Sequence, residues 1–171
     1  MSQSAKKLYR EVLLDHFHNP RGKTEFSKTD AVSRGSNPQC GDEVEIALGF
    51  DESGSSSIRF KGRGCSVCLA SASIMSDACS GLALSELQSR HAQILSWLMN
   101  KDKTAELGPT IDALDLVRSH PARVRCVLLA WEALGGLIKG VASSSERLVS
   151  IGSVSEDMAT DGVASDSLGK D

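Results

Sequence analysis

The sequence predicts an α+β fold, a small antiparallel β-sheet with helices packed on one face. Three observations carry that prediction. Residues 44–61 hold two runs of period-two alternation joined by a Gly/Ser-rich turn. Several apolar stripes at helical spacing follow, between residues 69 and 138, and one more precedes the alternating runs. Strands grouped together and then followed by helices give a sheet covered on one side rather than a parallel α/β layout.

The first element is a helix over Ser4 to Phe17, with Leu8, Val12, Leu13 and Phe17 on one stripe, stopped by Asn19-Pro20-Arg21-Gly22. Residues 21–39 are polar and punctuated by Pro, Gly and Ser, which reads as loop. Val44, Ile46, Leu48 and Phe50 then alternate with Glu43, Glu45, Ala47 and Gly49, the pattern of a strand with one wet face. After the turn at 51–55, Ile58 and Phe60 alternate with Arg59 and Lys61, so the pair forms a hairpin. Leu69 to Cys79 is a small-residue helix stopped by Gly81. Ser85 with Gln88 forms a capping box ahead of the stripe Leu87, His91, Ile94, Leu95 and Leu98. Gly108-Pro109 opens a short helix through Leu114 and Val117. Ser119 caps a longer one that starts near Pro121 and carries Val127, Ala130, Trp131, Leu134 and Ile138. Trp97 and Trp131 read as packing residues, and His91 as a satisfied core or boundary residue. His16 and His18, at the end of the first helix, are placed to help dock a partner.

Length and composition set the limits. At 171 residues and 40% apolar, the chain can bury one core, and residues 1–142 are expected to form one domain. Residues 143–171 hold eight serines and six acidic residues with no clear period, a composition expected to stay disordered. A net charge of −3 and a pI near 5.8 give no electrostatic reason to expect nucleic acid or an anionic membrane. No apolar run approaches the roughly 20 residues that cross a bilayer, and no signal-peptide profile precedes Glu11 and Asp15. A cytoplasmic location is therefore expected. There, five sparsely spaced cysteines are metal-binding or reactive rather than bridged.

Three of those cysteines sit in unusual contexts: Asn37-Pro38-Gln39-Cys40-Gly41-Asp42, Gly62-Arg63-Gly64-Cys65, and Pro121-Ala122-Arg123-Val124-Arg125-Cys126. Gly/Pro loops and helix starts are where ligands and nucleophiles sit, and Asp42 adds a hard oxygen beside soft sulfurs. On the predicted layout Cys40 precedes the first strand, Cys65 follows the second and Cys126 lies near a helix start, so all three can gather at one end of the sheet. Three sulfurs and one carboxylate could complete a tetrahedral site for zinc or an iron–sulfur cluster. Four negative ligands on a divalent ion leave charge uncompensated, which makes Arg125 a candidate charge partner. His120 is a weaker ligand candidate, and Cys79 reads as core.

These motifs, with Tyr9 to Pro20 (YREVLLDHFHNP), Gly62 to Ser73 (GRGCSVCLASAS) and Pro121 to Leu134 (PARVRCVLLAWEAL), resemble the U-type iron–sulfur cluster assembly family of IscU, the N-terminal domain of NifU, and SufU. The resemblance covers most of residues 5–142. It implies a SufE/NifU-like fold with the metal site at one end of the sheet. Arg125 stands where IscU-like members place a histidine, and the 60 residues between Cys65 and Cys126 match a longer form. Both features point to the SufU-like zinc-dependent sulfurtransferase subgroup.

That resemblance implies zinc on Cys40, Asp42, Cys65 and Cys126, with Cys40 accepting persulfide sulfur from a SufS-type, pyridoxal-phosphate cysteine desulfurase. Downstream iron–sulfur assembly proteins would be the further partners. The alternative is a scaffold that builds a [2Fe–2S] cluster, or holds iron, on the same residues. One departure stands out: Cys68 occupies a position where the family usually has serine. It could compete as a ligand, serve as an auxiliary thiol in persulfide relay, or face the helix passively.

Overall fold

The structure, a computed structural model, describes residues 2–99, 106–118 and 120–154, with residues 145–154 as backbone alone. The order is α1 (Gln3–His18), β1 (Ala31–Asn37), β2 (Asp42–Phe50), β3 (Ser56–Arg63), α2 (Ser66–Cys79), α3 (Leu84–Met99), α4 (Pro109–Asp112), α5 (Asp115–Arg118) and α6 (Pro121–Val154). The strands make one antiparallel sheet in the order β1-β2-β3. Its inner face carries Val44, Ile46, Leu48, Ile58 and Phe60, all buried, with Ile46 opposite Phe60 and Leu48 opposite Ile58. Helices α2 and α6 lie on that face, and α3 packs behind α6. The α+β layout with helices on one face is as the sequence predicts.

Strand β1 lies within residues 21–39, where the composition predicts loop. Its inward positions are Ala31, Ser33 and Gly35, too small to advertise an apolar alternation. At Gly35 α6 passes closely: a Cβ there would lie 3.0 Å from Leu129 Cδ1. The outer face instead carries ion pairs across the strands, Arg34 to Glu45 at 2.6 Å and Arg63 to Glu43 at 3.0 Å. Near its far end the segment before β1 folds over this face, where Asp30 pairs with Arg59 at 2.8 Å.

Helix starts also differ in detail. Helix α3 begins at Leu84, and Glu86 rather than Gln88 reaches back to cap, accepting from the Ala83 N–H at 3.1 Å. The short helix predicted after Gly108 is two four-residue helices, α4 and α5. Ser119 lies outside the described residues, and the His120 carbonyl accepts the first bonds of α6, from Arg123 and Val124. In α1, Leu8 is exposed, and His16 is the buried residue. Its Nδ1 lies 2.8 Å from Ser73 Oγ on α2, so His16 anchors the helix rather than offering itself to a partner.

Helix α6 runs past the boundary that composition draws at 142. Ser143 and Ser144 donate hydroxyls to the carbonyls of Lys139 and Gly140, so these serines ride on the helix. The rest of the expected disordered tail, 155–171, lies outside the described residues. Over Pro121–Ser144 the helix is long and apolar enough to cross a membrane by length and composition. That differs from the expectation that no apolar run comes near such a length. Half of that stretch is buried against the sheet, α2 and α3, as in the central helix of a core.

Candidate metal centre

The site forms where the β1–β2 turn, the β3–α2 junction and the second turn of α6 meet. The turn is closed by the pairing of Asn37 with Asp42. The Asn37 carbonyl accepts the N–H groups of Cys40 and Gly41 at 3.3 and 2.9 Å, and its side-chain oxygen accepts Gln39 N–H at 3.2 Å. Gly41 takes φ 72°, a left-handed conformation that a side chain disfavours. The result is an exposed Cys40 at the tip of a tight, internally bonded turn.

Asp42 opens β2 with its side chain turned inward and 1% exposed. Its Oδ1 accepts the Cys65 N–H at 2.8 Å, and Oδ2 lies 3.3 Å from Cys65 Sγ. Gly64 permits this approach, since a Cβ there would meet Asp42 Oδ1 at 2.7 Å. Cys65 itself is the N-cap of α2, its sulfur accepting the Cys68 N–H at 3.4 Å. The sulfur therefore sits at the positive end of the α2 dipole.

Cys126, 4% exposed, completes the group from α6, with its Sγ 3.6 Å from that of Cys40. Ligand atoms of Cys40, Asp42 and Cys126 all lie within 4.8 Å of one another, and Cys65 joins through its contact with Asp42. The separations among Cys40, Asp42 and Cys126 fit a shared ion, whereas Cys65, in contact with Asp42, lies outside that 4.8 Å group. Tetrahedral zinc with Zn–S of about 2.3 Å and Zn–O of about 2.0 Å sets sulfurs about 3.8 Å apart and sulfur to oxygen about 3.5 Å apart. The buried Asp42 carboxylate also has no lysine or arginine ion-paired to it among the described residues. One hard carboxylate beside soft sulfurs, with no described basic side chain paired to it, is a donor set that fits a cation.

The protonation preferences describe the same group without an ion. Burial alone would raise the Asp42 carboxyl. The Cys65 N–H and the thiols of Cys126, Cys40 and Cys65 outweigh it and hold the group below the usual carboxylate range. Burial pushes the Cys126 thiol well up, reinforced by its hydrogen bonds to Asp42 and Cys40. Cys68 is pushed up to about 12 by burial, then by the negative charge of Asp42 and the thiols of Cys65 and Cys40. A metal ion reverses such preferences by binding the thiolate.

The sequence candidates therefore divide. Cys40, Asp42, Cys65 and Cys126 come together at one end of the sheet. Arg125 is exposed, next to Cys126 in the chain but outside the group. Cys68 and Cys79 are fully buried in the core cluster, and His120 is exposed; none of the three is among the residues within ligand distance of one another. His91, 6% exposed, donates Nε2–H to the Trp131 carbonyl at 2.7 Å, a satisfied core histidine. Sequence reasoning missed Asn37 as the organiser of the Cys40 turn, although Asn-Pro ahead of Cys-Gly is a turn signal.

A model of the family described as NifU-like N terminal domain matches residues 8–139. The zinc-dependent sulfurtransferase SufU of Bacillus subtilis (strain 168) is 36% identical over 137 residues, covering 79% of this chain and 90% of its own length. The iron–sulfur cluster assembly scaffold protein IscU of Streptococcus pyogenes serotype M1 is 33% identical, with 80% and 86% covered. Among solved structures, a protein from Fervidobacterium islandicum AW-1 described as a candidate iron–sulfur cluster assembly scaffold for the SUF system aligns with a TM-score of 0.59. It is 30% identical and covers 75% of this chain and 95% of its own. An N-terminal NifU-like protein from Brucella abortus, 20% identical, shares the fold at a TM-score of 0.67, with 81% and 96% covered.

Proposed function

The chain belongs to the NifU-like N-terminal domain family, and from that premise we propose that it is a zinc-dependent sulfurtransferase of iron–sulfur cluster assembly. It accepts persulfide sulfur from a pyridoxal-phosphate cysteine desulfurase and passes it towards downstream assembly proteins. The observation that carries this reading is the unequal exposure of the four candidate ligands. Cys40 is exposed on a turn with a left-handed glycine, while Asp42 and Cys126 are buried and Cys65 is partly buried.

Zinc held by Cys40, Asp42, Cys65 and Cys126 would keep the thiols deprotonated at neutral pH and restrain them until a partner arrives. Asp42 bonds the Cys65 N–H and so fixes the β3–α2 junction. Cys126 is anchored in α6, which leaves Cys40 as the group able to move outward on its turn. The Cys40 thiolate attacks the outer sulfur of the desulfurase persulfide. A Cys40 S–S bond forms, the partner's S–S bond breaks, and the partner's own sulfur leaves as thiolate. A reducing cytoplasm suits this exchange, since the five cysteines are free.

The test is sulfur uptake by Cys40→Ser. Labelled sulfur supplied by a cysteine desulfurase is expected to load the wild-type chain and to leave the variant unlabelled, with its fold intact by circular dichroism. Loading of the variant at the wild-type rate would contradict the role of Cys40. The second reading, a scaffold for a [2Fe–2S] cluster, is favoured by the completeness of the Cys3Asp set, which could hold a cluster equally well.

A further inference from the structure

The turn that carries Cys40 is tied together by one residue. Asn37 ends β1 opposite Asp42 and is 8% exposed. Its carbonyl accepts the Cys40 N–H at 3.3 Å, the Gly41 N–H at 2.9 Å and the Cys40 thiol at 3.7 Å. Its side-chain Oδ1 accepts the Gln39 N–H at 3.2 Å, a bond across the middle of the turn. Both ends of the turn are restricted by other means. Pro38 has a fixed φ and keeps Asn37 in extended backbone, while Gly41 leaves the turn through φ 72°. Closed in this way, the turn sets Cys40 Sγ 3.6 Å from Cys126 Sγ although Cys40 is exposed. Cys65 and Cys126 are held differently, one as the N-cap of α2 and the other within α6.

We propose that Asn37 is a positioning residue whose side chain latches Cys40 against the other ligands until a partner draws it out. The proposal rests on reading Cys40 as the ligand that leaves the ion, and it adds what restrains that departure. With Oδ1 on the Gln39 N–H, the Cys40 sulfur stays turned towards Cys126 and Asp42. Breaking that bond frees Gln39 and lets the turn swing between Pro38 and Gly41, which carries the sulfur towards solvent. A carbonyl is present whatever residue stands at this position. The amide oxygen is therefore what separates Asn37 from an alanine.

The test is the rate at which iodoacetamide alkylates each cysteine of the zinc-loaded chain, read by peptide mass spectrometry for wild type, Asn37→Ala, Asn37→Asp and Gly41→Ala. In Asn37→Ala, Cys40 is expected to react about fivefold faster than in wild type, the scale of one net hydrogen bond, with Cys65 and Cys126 unchanged. Asn37→Asp keeps an acceptor for the Gln39 N–H and is expected to react at Cys40 no faster than wild type. A Cβ on Gly41 meets no atom within 4 Å but strains the backbone at φ 72°. Gly41→Ala is therefore expected to free Cys40 as well, and it decides the matter if Asn37→Ala fails to fold. A wild-type Cys40 rate in Asn37→Ala overturns the proposal. So does an equal rise at Cys40, Cys65 and Cys126, or an Asn37→Asp that reacts as fast as Asn37→Ala. A wild-type Cys40 that alkylates equally fast with and without zinc removes the metal-site reading itself, whereas equal wild-type and variant rates beside protection by zinc remove only the latch.

Discussion

Asp42 is the residue on which the site turns, and its surroundings show why it is a carboxylate. One oxygen receives a main-chain N–H from Cys65 and the other faces the Cys65 sulfur, while the Cys126 and Cys40 sulfurs stand within ligand distance. A neutral amide at this place would keep the hydrogen bond and lose the charge that holds a cation. Space for this arrangement comes from Gly64, whose missing Cβ leaves room for Asp42 Oδ1. Gly64→Ala is therefore expected to displace the carboxylate and weaken zinc binding by about 10- to 100-fold, with secondary structure unchanged. Chelator competition against the wild type measures it, and an affinity within twofold of wild type would show that the close approach is dispensable.

Helix α6 organises the elements, touching β1, β2, α2, α3 and α5. Its buried face carries a polar chain that ties it to two neighbours. Ser71 on α2 donates to the Val127 carbonyl and accepts from Trp131 Nε1–H, and His91 on α3 donates to the Trp131 carbonyl. The paired glycines in this helix are not equivalent. A Cβ on Gly135 would lie 2.9 Å from His91 Cε1, a ring held by its hydrogen bond, whereas a Cβ on Gly136 meets open space. Gly136→Ala should raise stability by about 0.5–1 kcal/mol through helix propensity. Gly135→Ala should lower it, with overpacking costs of about 1–3 kcal/mol exceeding that gain. Urea denaturation of both variants checks the opposite signs, and equal shifts would refute the packing argument.

At this same scale the sequence was legible where side chains are large and periodic. Helices α3 and α6 and strands β2 and β3 announce themselves through Ile, Leu, Val and Phe on one face, and α2 through a run of small residues stopped by Gly81. Strand β1 stays hidden because its inward positions Ala31, Ser33 and Gly35 are small, and at Gly35 Leu129 of α6 leaves little room for a side chain. The end of α6 was hidden for the opposite reason. Its serines look like loop composition, yet their hydroxyls return to the helix carbonyls. The site residues were readable from their Gly/Pro contexts, but the burial of Cys68 in the core, with its N–H on the Cys65 sulfur, shows only in the fold, since a C-x-x-C spacing fits several arrangements.

For the whole molecule, two buried histidines hold the helical layer together in the neutral form. Burial lowers the His16 pKa, helped by Arg21, while Asp77 and Asp15 oppose the shift. Burial likewise lowers His91, with Lys139 acting in the same direction and the Trp131 carbonyl opposing. Unfolded imidazoles take up protons near pH 6.5, so below that pH the unfolded chain binds more protons than the fold. The stability these groups contribute is present above pH 6.5 and lost on acidification, by at most about 1.4 kcal/mol per pH unit for each histidine. Zinc-free protein should accordingly melt at progressively lower temperature between pH 7 and pH 5.5. A melting temperature that stays flat over that range would contradict the account. Zinc must be absent, since its ligands also protonate and release it in acid.

The proposed function has the folded molecule gather separated thiols for one ion. Metal and acid-labile sulfide analysis of protein purified without oxygen tests this most directly. One colourless zinc per chain, with neither iron nor sulfide, is the predicted result; a brown iron–sulfide species in its place, or a metal-free chain, would contradict it.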